Sequence, residues 1–139
     1  LSLAIIDIDD FKRLNDSYGH QHGDMILKRL AQIFKECSRD TDHVCRYGGE
    51  EFALILHGTT RTQGMDIAER LRRRIEEHHF PGLTPEQSLQ ITVSIGLATR
   101  PDDALSKENL IALADKAMYI AKFSGKNKTC FVEDGPLRA

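Results

Sequence analysis

Carboxylates stand at two places in the sequence where a strand-like segment begins or ends. Asp7 and Asp9 close an apolar run that starts at Leu3, and Glu50 and Glu51 follow a pair of glycines at the start of another run. If these segments are neighbours in one sheet, their carboxylates meet at one edge, where they repel each other unless a cation lies among them. Oxygen-only ligands favour Mg²⁺ or Mn²⁺, and such an ion keeps positions open for phosphate oxygens. The arrangement indicates metal-assisted nucleotide chemistry, with an ordinary acidic turn as the alternative.

Residues suited to binding phosphate lie just after the first strand and near the end of the chain. Asp10, Phe11 and Lys12 begin a helical turn, whose free amides can hold phosphate oxygens. Lys122 and Lys126 lie four residues apart at the end of the last predicted helix, where they would share one face and meet the same phosphates. The alternative for these lysines is favourable charge at a helix C-terminus.

Two polar residues beside a glycine-containing segment suit the recognition of a guanine base. Asn15 and Asp24 flank a predicted loop that contains Gly19 and Gly23. An aspartate can accept hydrogen bonds from the N–H groups of guanine's Watson–Crick edge, and an asparagine can donate and accept beside it. The alternative is that both are loop residues and that Asp24 caps the helix that starts there.

Hydrophobic periodicity predicts the elements that position these residues. Apolar residues recur at three- and four-residue steps in three segments, and they alternate or cluster in five shorter ones. The predicted helices are 24–37, 62–79 and a third from the N-cap Ser106 to Ser124-Gly125, and the predicted strands are 3–8, 42–47, 51–56, 89–98 and 129–132. A Gly-Gly pair, which accepts positive φ readily, joins the second and third strands as a hairpin. The order predicts an α/β sandwich with helices packed on a mixed or antiparallel sheet.

Composition limits the class of protein. The 139 residues are 40% hydrophobic and 29% charged, which is typical of one folded domain. Nineteen basic against 21 acidic residues give a net charge of −2, which argues against a nucleic-acid or anionic-membrane surface. The three cysteines are widely spaced, and there is no signal-like or membrane-spanning run, so we expect a cytoplasmic domain, even if the full-length protein is membrane-anchored.

Several motifs, in order along the chain, resemble the GGDEF-domain family of diguanylate cyclases. They span Asp7 to Asn127, and a series of motifs in register is far more specific than any one of them. The matching segments are DIDDFKRLND at 7–16, GH at 19–20, GD at 23–24, RYGGEEF at 46–52, SIG at 94–96, ADKAMY at 114–119, AK at 121–122 and GKN at 125–127. The hairpin segment resembles the motif that names the family, in its variant with glutamate at the third position. Lys126 stands where the family often has arginine.

The resemblance implies a nucleotidyl-cyclase fold of the palm type, which is a ferredoxin-like α+β sandwich whose central, mostly antiparallel sheet is flanked by helices. It implies condensation of two GTP into cyclic di-GMP with release of two pyrophosphates, and two Mg²⁺ or Mn²⁺ ions per active site. Each chain would present one GTP, so a homodimer is expected. The domain is expected to cover 1–135, with a tail at 136–139. It would lack its usual lead-in segment, and a sensor or receiver domain would be fused in the full-length protein.

The resemblance also assigns roles in metal binding and proton transfer. Asp7, the backbone carbonyl of Ile8, Glu50 and Glu51 would bind metal. Glu50 would in addition take the proton from the ribose 3′-hydroxyl, although a carboxylate bound to Mg²⁺ is a weak base. The nucleotide itself would be held by other residues. Asn15 and Asp24 would contact guanine, and the β- and γ-phosphates would meet the amides of Asp10, Phe11 and Lys12 and the side chains of Lys122 and Lys126.

A second nucleotide site is implied by Arg39 and Asp42. An arginine, two spacers and an aspartate at this place resemble the family's inhibitory motif, which binds the product, and Arg70 stands where a supporting arginine is expected. Arginine can grip phosphate or stack on guanine, and aspartate can accept guanine N–H groups. The alternative is an ordinary exposed ion pair of low energy.

Two other functions fit parts of the pattern. One is a non-catalytic module that binds GTP or cyclic di-GMP and regulates a fused partner, and the other is a different palm-type nucleotidyl transferase. Degenerate family members usually lose the hairpin acids or the first aspartate, whereas this chain keeps Asp7, Glu50 and Glu51. An active cyclase is therefore the preferred interpretation.

Overall fold

The strands form where the apolar runs lie. The computed structural model describes residues 1–132, and in that range the chain forms seven strands and four helices. In chain order they are β1 (Ser2–Ile8), α1 (Phe11–Tyr18), α2 (His20–Glu36), β2 (His43–Arg46), β3 (Glu51–Leu56), α3 (Arg61–Glu77), β4 (Phe80–Pro81), β5 (Ser88–Leu89), β6 (Val93–Thr99), α4 (Lys107–Phe123) and β7 (Lys128–Phe131). All helices and strands predicted from periodicity are present. The bounds of the strand 51–56 agree with the prediction, and those of the others are shifted.

The strand β1 lies at the centre of a five-stranded sheet in the order β2-β3-β1-β6-β7. It pairs antiparallel with β3 and with β6, whereas β7 runs parallel to β6. Every residue of β1 is buried, which explains why its sequence is a continuous apolar run instead of an alternating one. The expected α+β sandwich with a mostly antiparallel sheet is confirmed.

Helices cover both faces of this sheet. On one face α2 and α3 pack against the strands, and their buried side chains include Ile26, Leu30, Phe34, Leu71 and Ile75. On the other face α4 contributes Leu110, Leu113, Ala114 and Met118. The backbone of α4 comes so close to β6 that a side chain at Gly96 would overlap backbone atoms of Ala114 and Met118. The sheet therefore has α4 fixed against it at short range, and α4 brings its own polar residues to the sheet edge.

The start of α2 differs from the prediction. It begins at His20, directly after Gly19, whose φ of 91° breaks the chain away from α1. The segment predicted as a loop with Gly23 is therefore helical, because one glycine suffices for the break. Asp24 lies inside the helix, so the alternative that it caps the N-terminus is wrong.

The predicted strand 89–98 is divided in two. Its first residues, in β5, pair with β4 as a separate two-stranded ribbon, and the central strand begins only at Val93. The interruption falls where the carbonyl of Thr92 accepts a hydrogen bond from the N–H of Asp9 at 2.9 Å. The strand thus starts at the edge where the acidic residues lie.

The hairpin between β2 and β3 is confirmed, but its expected cause is not. Neither Gly48 nor Gly49 lies in the left-handed region. The tip is closed by the N–H groups of Tyr47 and Gly48, which donate to the carbonyl of Glu51 at 2.8 and 3.1 Å. No other protein atom lies within 4 Å of the position that a side-chain carbon at Gly49 would take. The glycines therefore keep the tip open.

The predicted tail at 136–139 lies outside the described residues. Across residues 1–132 no helix combines the length and the apolar character that a membrane crossing requires.

Candidate active site

The end of β1 and the tip of the β2–β3 hairpin lie side by side, as the sequence predicts. In the antiparallel register Asp7 is directly opposite Glu51. The N–H of Ile8 donates to the carbonyl of Glu50 at 3.2 Å. Residues directly opposite in antiparallel strands have Cβ atoms about 4.5–5.5 Å apart. The carboxylates from two distant parts of the chain therefore share one edge of the sheet.

Burial and neighbouring charge raise the pKa values of three acidic side chains at this edge. Burial raises the pKa of Glu50 and the charge of Asp7 raises it further, while Lys122 opposes both effects. Burial also raises the pKa of Glu51, followed by the charges of Asp7 and Asp115. The pKa of Asp115 is raised by burial and then by Asp7. The edge therefore holds more negative charge than Lys122 alone neutralises.

Asp115 is a member of this cluster that sequence reasoning did not identify. It lies on α4 seven residues before Lys122, which is about two helical turns, so the two side chains lie on one face of the helix. Once Lys122 is placed at the site, this spacing is the signal that brings Asp115 there too.

The ammonium group of Lys122 lies among the oxygens that the resemblance assigns to a metal. Its Nζ is 3.0 Å from an oxygen of Asp7 and 3.0 Å from an oxygen of Asp9, and it donates to the carbonyl of Ile8 at 3.0 Å. Burial alone would lower the pKa of Lys122, but its pairing with the carboxylates of Asp9 and Asp7 outweighs burial and raises the pKa. In this structure the lysine supplies positive charge to these oxygens.

The oxygens at the site suit a hard divalent cation in their chemistry. Asp7 Oδ1 is buried and accepts no hydrogen bond, because its contact with Lys122 is an ion pair outside hydrogen-bonding geometry. Carboxylate and carbonyl oxygens are the ligands that Mg²⁺ prefers. Among residues 1–132, however, no three Asp, Glu, His or Cys side chains converge closely enough to form a ready metal cluster.

Asp9, which the sequence groups with the acidic cluster, has a different environment. Its carboxylate accepts hydrogen bonds from the hydroxyls of Ser94 at 2.7 Å and Thr92 at 2.8 Å and from the N–H of Asn127 at 3.0 Å, besides the ion pair with Lys122. Burial would raise the pKa of Asp9, but these four donors together lower it. Asp9 therefore joins β1, β6 and the turn after α4, and it offers no free oxygen comparable to that of Asp7.

A cavity of about 510 Å³ opens beside the hairpin tip. The residues that line it are Phe11, Asn15, His20, Asp24, Leu27, Arg46, Gly49, Glu50 and Glu51. The guanidinium of Arg46 donates to the carbonyls of Gly48 and Gly49 at 3.2 and 2.7 Å and holds the tip against the cavity. The structure thus brings the predicted guanine residues and the hairpin acids to one cavity.

Asn15, one of the residues that line this cavity, has a polar atom without a partner. Asn15 Oδ1 is buried and has no hydrogen-bond partner. The side chain of Asn15, on α1, can pack against α2 only because Gly23 has no side chain. A Cβ at that position would overlap the amide of Asn15. A buried carbonyl oxygen without a donor is costly, so the site is suited to a ligand that brings an N–H group.

The residues predicted for phosphate binding meet at the same edge. Asp10 precedes α1 in a left-handed conformation with φ 57°, and its side chain does not cap the helix. Lys126 Nζ lies 2.6 Å from Asp10 Oδ1. The prediction that Lys126 shares a helix face with Lys122 is wrong, because α4 ends at Phe123 and Lys126 lies in the following turn. Phe11 is buried, whereas Lys12 is exposed.

Arg39 and Asp42 form a tightly bonded turn before β2. The guanidinium donates to both carboxylate oxygens of Asp42 at 3.2 and 2.9 Å, to the carbonyl of His57 at 2.9 Å and to the hydroxyl of Thr59 at 3.0 Å. The Asp42 side chain is 2% exposed and that of Arg39 is 51% exposed. Arg70 is exposed on α3, and within residues 1–132 no hydrogen bond or ion pair joins it to either residue.

Comparison with known proteins identifies a family and several similar proteins. Residues 1–128 match the family model described as diguanylate cyclase, GGDEF domain. The chain is 41% identical to diguanylate cyclase A of Treponema denticola over 128 residues, which are 92% of this chain and 34% of that protein. It is 40% identical to diguanylate cyclase DosC of Escherichia coli K12 over 131 residues, covering 92% of this chain and 27% of that protein. The chain therefore spans about a third or less of the length of these relatives.

Solved structures agree with this result. The GGDEF domain of YfiN from Pseudomonas aeruginosa superposes with a TM-score of 0.90 at 30% identity, covering 96% of this chain and 83% of that one. The GGDEF domain of DgcB from Caulobacter crescentus, crystallised in complex with c-di-GMP, has a TM-score of 0.84 at 31% identity and covers 93% of this chain and 75% of that one.

The electrostatics of the sheet edge lead to a testable effect on stability. We expect Glu51→Gln to stabilise the metal-free domain at neutral pH. The pKa of Glu51 is raised on folding, so the wild type loses stability as the pH rises from the usual glutamate value, about 4.3, to the raised value. Glutamine carries no charge and avoids this loss. Urea unfolding in EDTA at about pH 4 and about pH 7.5 measures the difference.

The matched control is Glu86→Gln, which changes an exposed glutamate in the loop between β4 and β5, away from any helix end, and should leave the free energy of unfolding unaltered. A wild type and a Glu51→Gln variant of equal stability at both pH values would contradict the repulsion described for this edge.

Proposed function

The chain belongs to the GGDEF-domain family of diguanylate cyclases, and on this basis we propose that it condenses two GTP into cyclic di-GMP with release of two pyrophosphates. The observation that carries the proposal is the register that sets Asp7 opposite Glu51, with Glu50 beside both at the mouth of a nucleotide-sized cavity. The relatives named diguanylate cyclases support the activity. The full-length protein's partners are part of the same proposal, because the chain spans only a portion of its relatives.

Asn15 and Asp24 would recognise the guanine base. The unpartnered Asn15 Oδ1 can accept a hydrogen bond from the exocyclic amine of guanine. Asp24, exposed on α2 at the rim of the same cavity, can accept from its Watson–Crick N–H groups. A site built around unpaired polar groups discriminates strongly against bases that lack the complementary donors.

The triphosphate would extend from the cavity toward the start of α1. The amides of Asp10, Phe11 and Lys12 lie there, and α1 adds the positive end of its dipole. Lys122 and Lys126 would bring positive charge to the β- and γ-phosphates. A lysine at 126 supplies charge without the bidentate fork of an arginine, so its contact with phosphate depends on how well the turn places it.

Asp7, the Ile8 carbonyl, Glu50 and Glu51 would hold Mg²⁺ or Mn²⁺. When bound, divalent ions at these oxygens would neutralise the charge on the triphosphate and on the attacking oxygen. Lys122 now pairs with two of the same oxygens, and its flexible stem allows the ammonium to turn to the phosphates instead.

Glu50 would accept the proton of the ribose 3′-hydroxyl. In the metal-free domain burial, and then the charge of Asp7, raise the pKa of Glu50. A divalent ion bound to the same carboxylate would oppose this effect and make it a weaker base, so the role is proposed for an oxygen of Glu50 that the ion leaves free. The place of Glu50 at the tip of the hairpin puts it at the mouth of the cavity.

The reaction would need a homodimer. One cavity holds one nucleotide, and each 3′-hydroxyl must attack the α-phosphate of the other GTP, so two copies have to face each other. A fused sensor or receiver domain in the full-length protein would control this encounter, with the catalytic unit at 1–135. SiaD of Pseudomonas aeruginosa, a diguanylate cyclase that covers 94% of this chain with a TM-score of 0.84, was crystallised with its activator SiaC, so a protein activator is a further class of partner.

A non-catalytic module that binds GTP or cyclic di-GMP is the second candidate. The observation in its favour is that Lys122 lies at the position expected for a cation while the acidic side chains of residues 1–132 form no converged metal cluster. The two candidates differ in turnover, because both would bind nucleotide and only the cyclase would consume it.

Removal of the hairpin acid or of the β1 aspartate tests catalysis. With GTP and Mg²⁺, Glu50→Gln and Asp7→Asn should each lower the rate of cyclic di-GMP formation by at least about 100-fold, because each removes a charge that acts on the reacting groups. Chromatography of the products measures the rate. Glu86→Gln is the control and should keep the wild-type rate. Wild-type turnover in the Glu50 or Asp7 variant would remove these residues from the active site.

Arg39, Asp42 and Arg70 would form a second site at which the product inhibits. Arg39 is held by Asp42 in a bidentate pair, so its remaining exposed surface is pre-oriented for a guanine face or a phosphate. Arg70 on α3 is exposed and can close on the same ligand.

Loss of either arginine should relieve inhibition by added cyclic di-GMP and leave the initial rate nearly unchanged. Arg39→Ala also removes bonds to His57 and Thr59, so its thermal stability is measured alongside. Arg70→Ala removes no hydrogen bond or ion pair found within residues 1–132 and serves as the structurally milder variant. Rates at rising product concentration give the result, and unchanged inhibition in both variants would eliminate the second site.

A further inference from the structure

Arg72 on α3 lies outside the candidate active site but is connected to it. Its guanidinium donates to both carboxylate oxygens of Glu69, each at 3.0 Å, and to Glu76 at 2.9 Å. It also donates to Asn127 Oδ1 at 2.8 Å, and the side-chain NH₂ of Asn127 donates to the carboxylate of Glu76. The side chains of Arg72, Glu69 and Glu76 are 13%, 30% and 36% exposed, so this is a half-buried network and not a fully solvated surface pair.

The turn that contains Asn127 needs such support. Lys126 and Asn127 are consecutive residues in the left-handed region, with φ of 62° and 48°. This conformation is energetically costly for residues other than glycine, and asparagine tolerates it better than lysine does. The turn therefore depends on contacts beyond its own backbone. The side-chain bonds from Asn127 to Arg72 and Glu76 are contacts of that kind.

The same turn fixes two cationic groups at the candidate site. The N–H of Asn127 donates to Asp9 at 3.0 Å, and Asp9 in turn lies 3.0 Å from Lys122 Nζ. Lys126 Nζ lies 2.6 Å from Asp10, next to the start of α1. A displacement of Asn127 would therefore move Lys126 directly and Lys122 through Asp9.

We propose that Arg72 is a positioning residue for the triphosphate, which holds the 126–127 turn so that Lys122 and Lys126 meet the β- and γ-phosphates. The inference rests on the proposed function, since it takes GTP as the ligand. Arg72 acts through the turn and does not touch the nucleotide. Its influence falls on the phosphates and not on the guanine base, because the base would lie at the other end of the cavity near Asn15 and Asp24.

A comparison of a triphosphate with a monophosphate ligand tests this role. The probes are α,β-methylene GTP, which cannot release pyrophosphate, and GMP, which lacks the β- and γ-phosphates. Each is titrated calorimetrically into the protein with Mg²⁺ present. Arg72→Met should weaken binding of the triphosphate about tenfold and of GMP less than about twofold. The displaced 126–127 turn would take the lysines away from the β- and γ-phosphates, which GMP lacks. A merely structural role would weaken both ligands equally.

The neighbouring arginine supplies a matched control. Arg73 lies next to Arg72 on α3, is 68% exposed and pairs with Glu69 only at 3.8 Å, so Arg73→Met should bind both probes like the wild type. A double variant tests the route through the turn. If Arg72 acts through Lys126, then adding Arg72→Met to Lys126→Met should weaken triphosphate binding by much less than it does in the wild type.

Asn127→Gly keeps the proposal testable if Arg72→Met does not fold. Glycine accepts the left-handed backbone and retains the N–H that bonds to Asp9, but it removes the side-chain link to Arg72 and Glu76. We expect the same selective loss of triphosphate affinity, smaller in size. Equal losses for both probes, unchanged binding in Asn127→Gly, or fully additive effects with Lys126→Met would overturn the positioning role. A wild type that binds neither probe overturns the proposed function, and the inference with it.

Discussion

Mutual repulsion of carboxylates at one sheet edge is the constraint on which the rest of the structure depends. Burial, and then the charge of Asp7 at the end of the central strand, raise the pKa of Glu50, Glu51 and Asp115, which come from the hairpin and from α4. Lys122 reaches across from α4 and neutralises part of this charge. Folding thus gathers more negative charge than it neutralises, and a polyanion such as GTP can bind there only with further cations. The family to which the chain belongs, its cavity and its lysines all agree with that requirement.

Asp7 and Asp9 show how the same side chain takes two roles within one segment. Asp9 accepts hydrogen bonds from three protein donors besides its ion pair with Lys122, and its pKa is lowered. Asp7 keeps a buried oxygen that accepts no hydrogen bond. The first therefore anchors three parts of the fold, and the second remains available to a ligand. The charge around Asp7 depends on Asp9, because the ion pair with Asp9 holds Lys122 beside Asp7.

The sequence predicts the features that arise from local patterns. The strand β1, the glycine hairpin and the position of the hairpin beside β1 can be predicted from the sequence, and so can the meeting of Asp7 with the hairpin acids. Features that depend on tertiary contacts cannot be predicted in this way. Asp24 lies within α2 because the single φ of 91° at Gly19 moves the helix start. Lys126 lies in a left-handed turn that Arg72, 54 residues earlier in the chain, supports through Asn127. No periodicity indicates such a contact.

The central claim is that divalent ions join this sheet edge to the triphosphate. The most direct test is a calorimetric titration of α,β-methylene GTP into the protein, once with Mg²⁺ present and once with EDTA instead. It is carried out on the wild type and on Asp7→Asn. We predict that Mg²⁺ strengthens binding to the wild type by at least about tenfold, which corresponds to about 1.4 kcal/mol, and that the variant loses most of this dependence. Equal wild-type affinity with and without Mg²⁺, or an undiminished effect of Mg²⁺ in Asp7→Asn, would contradict the account.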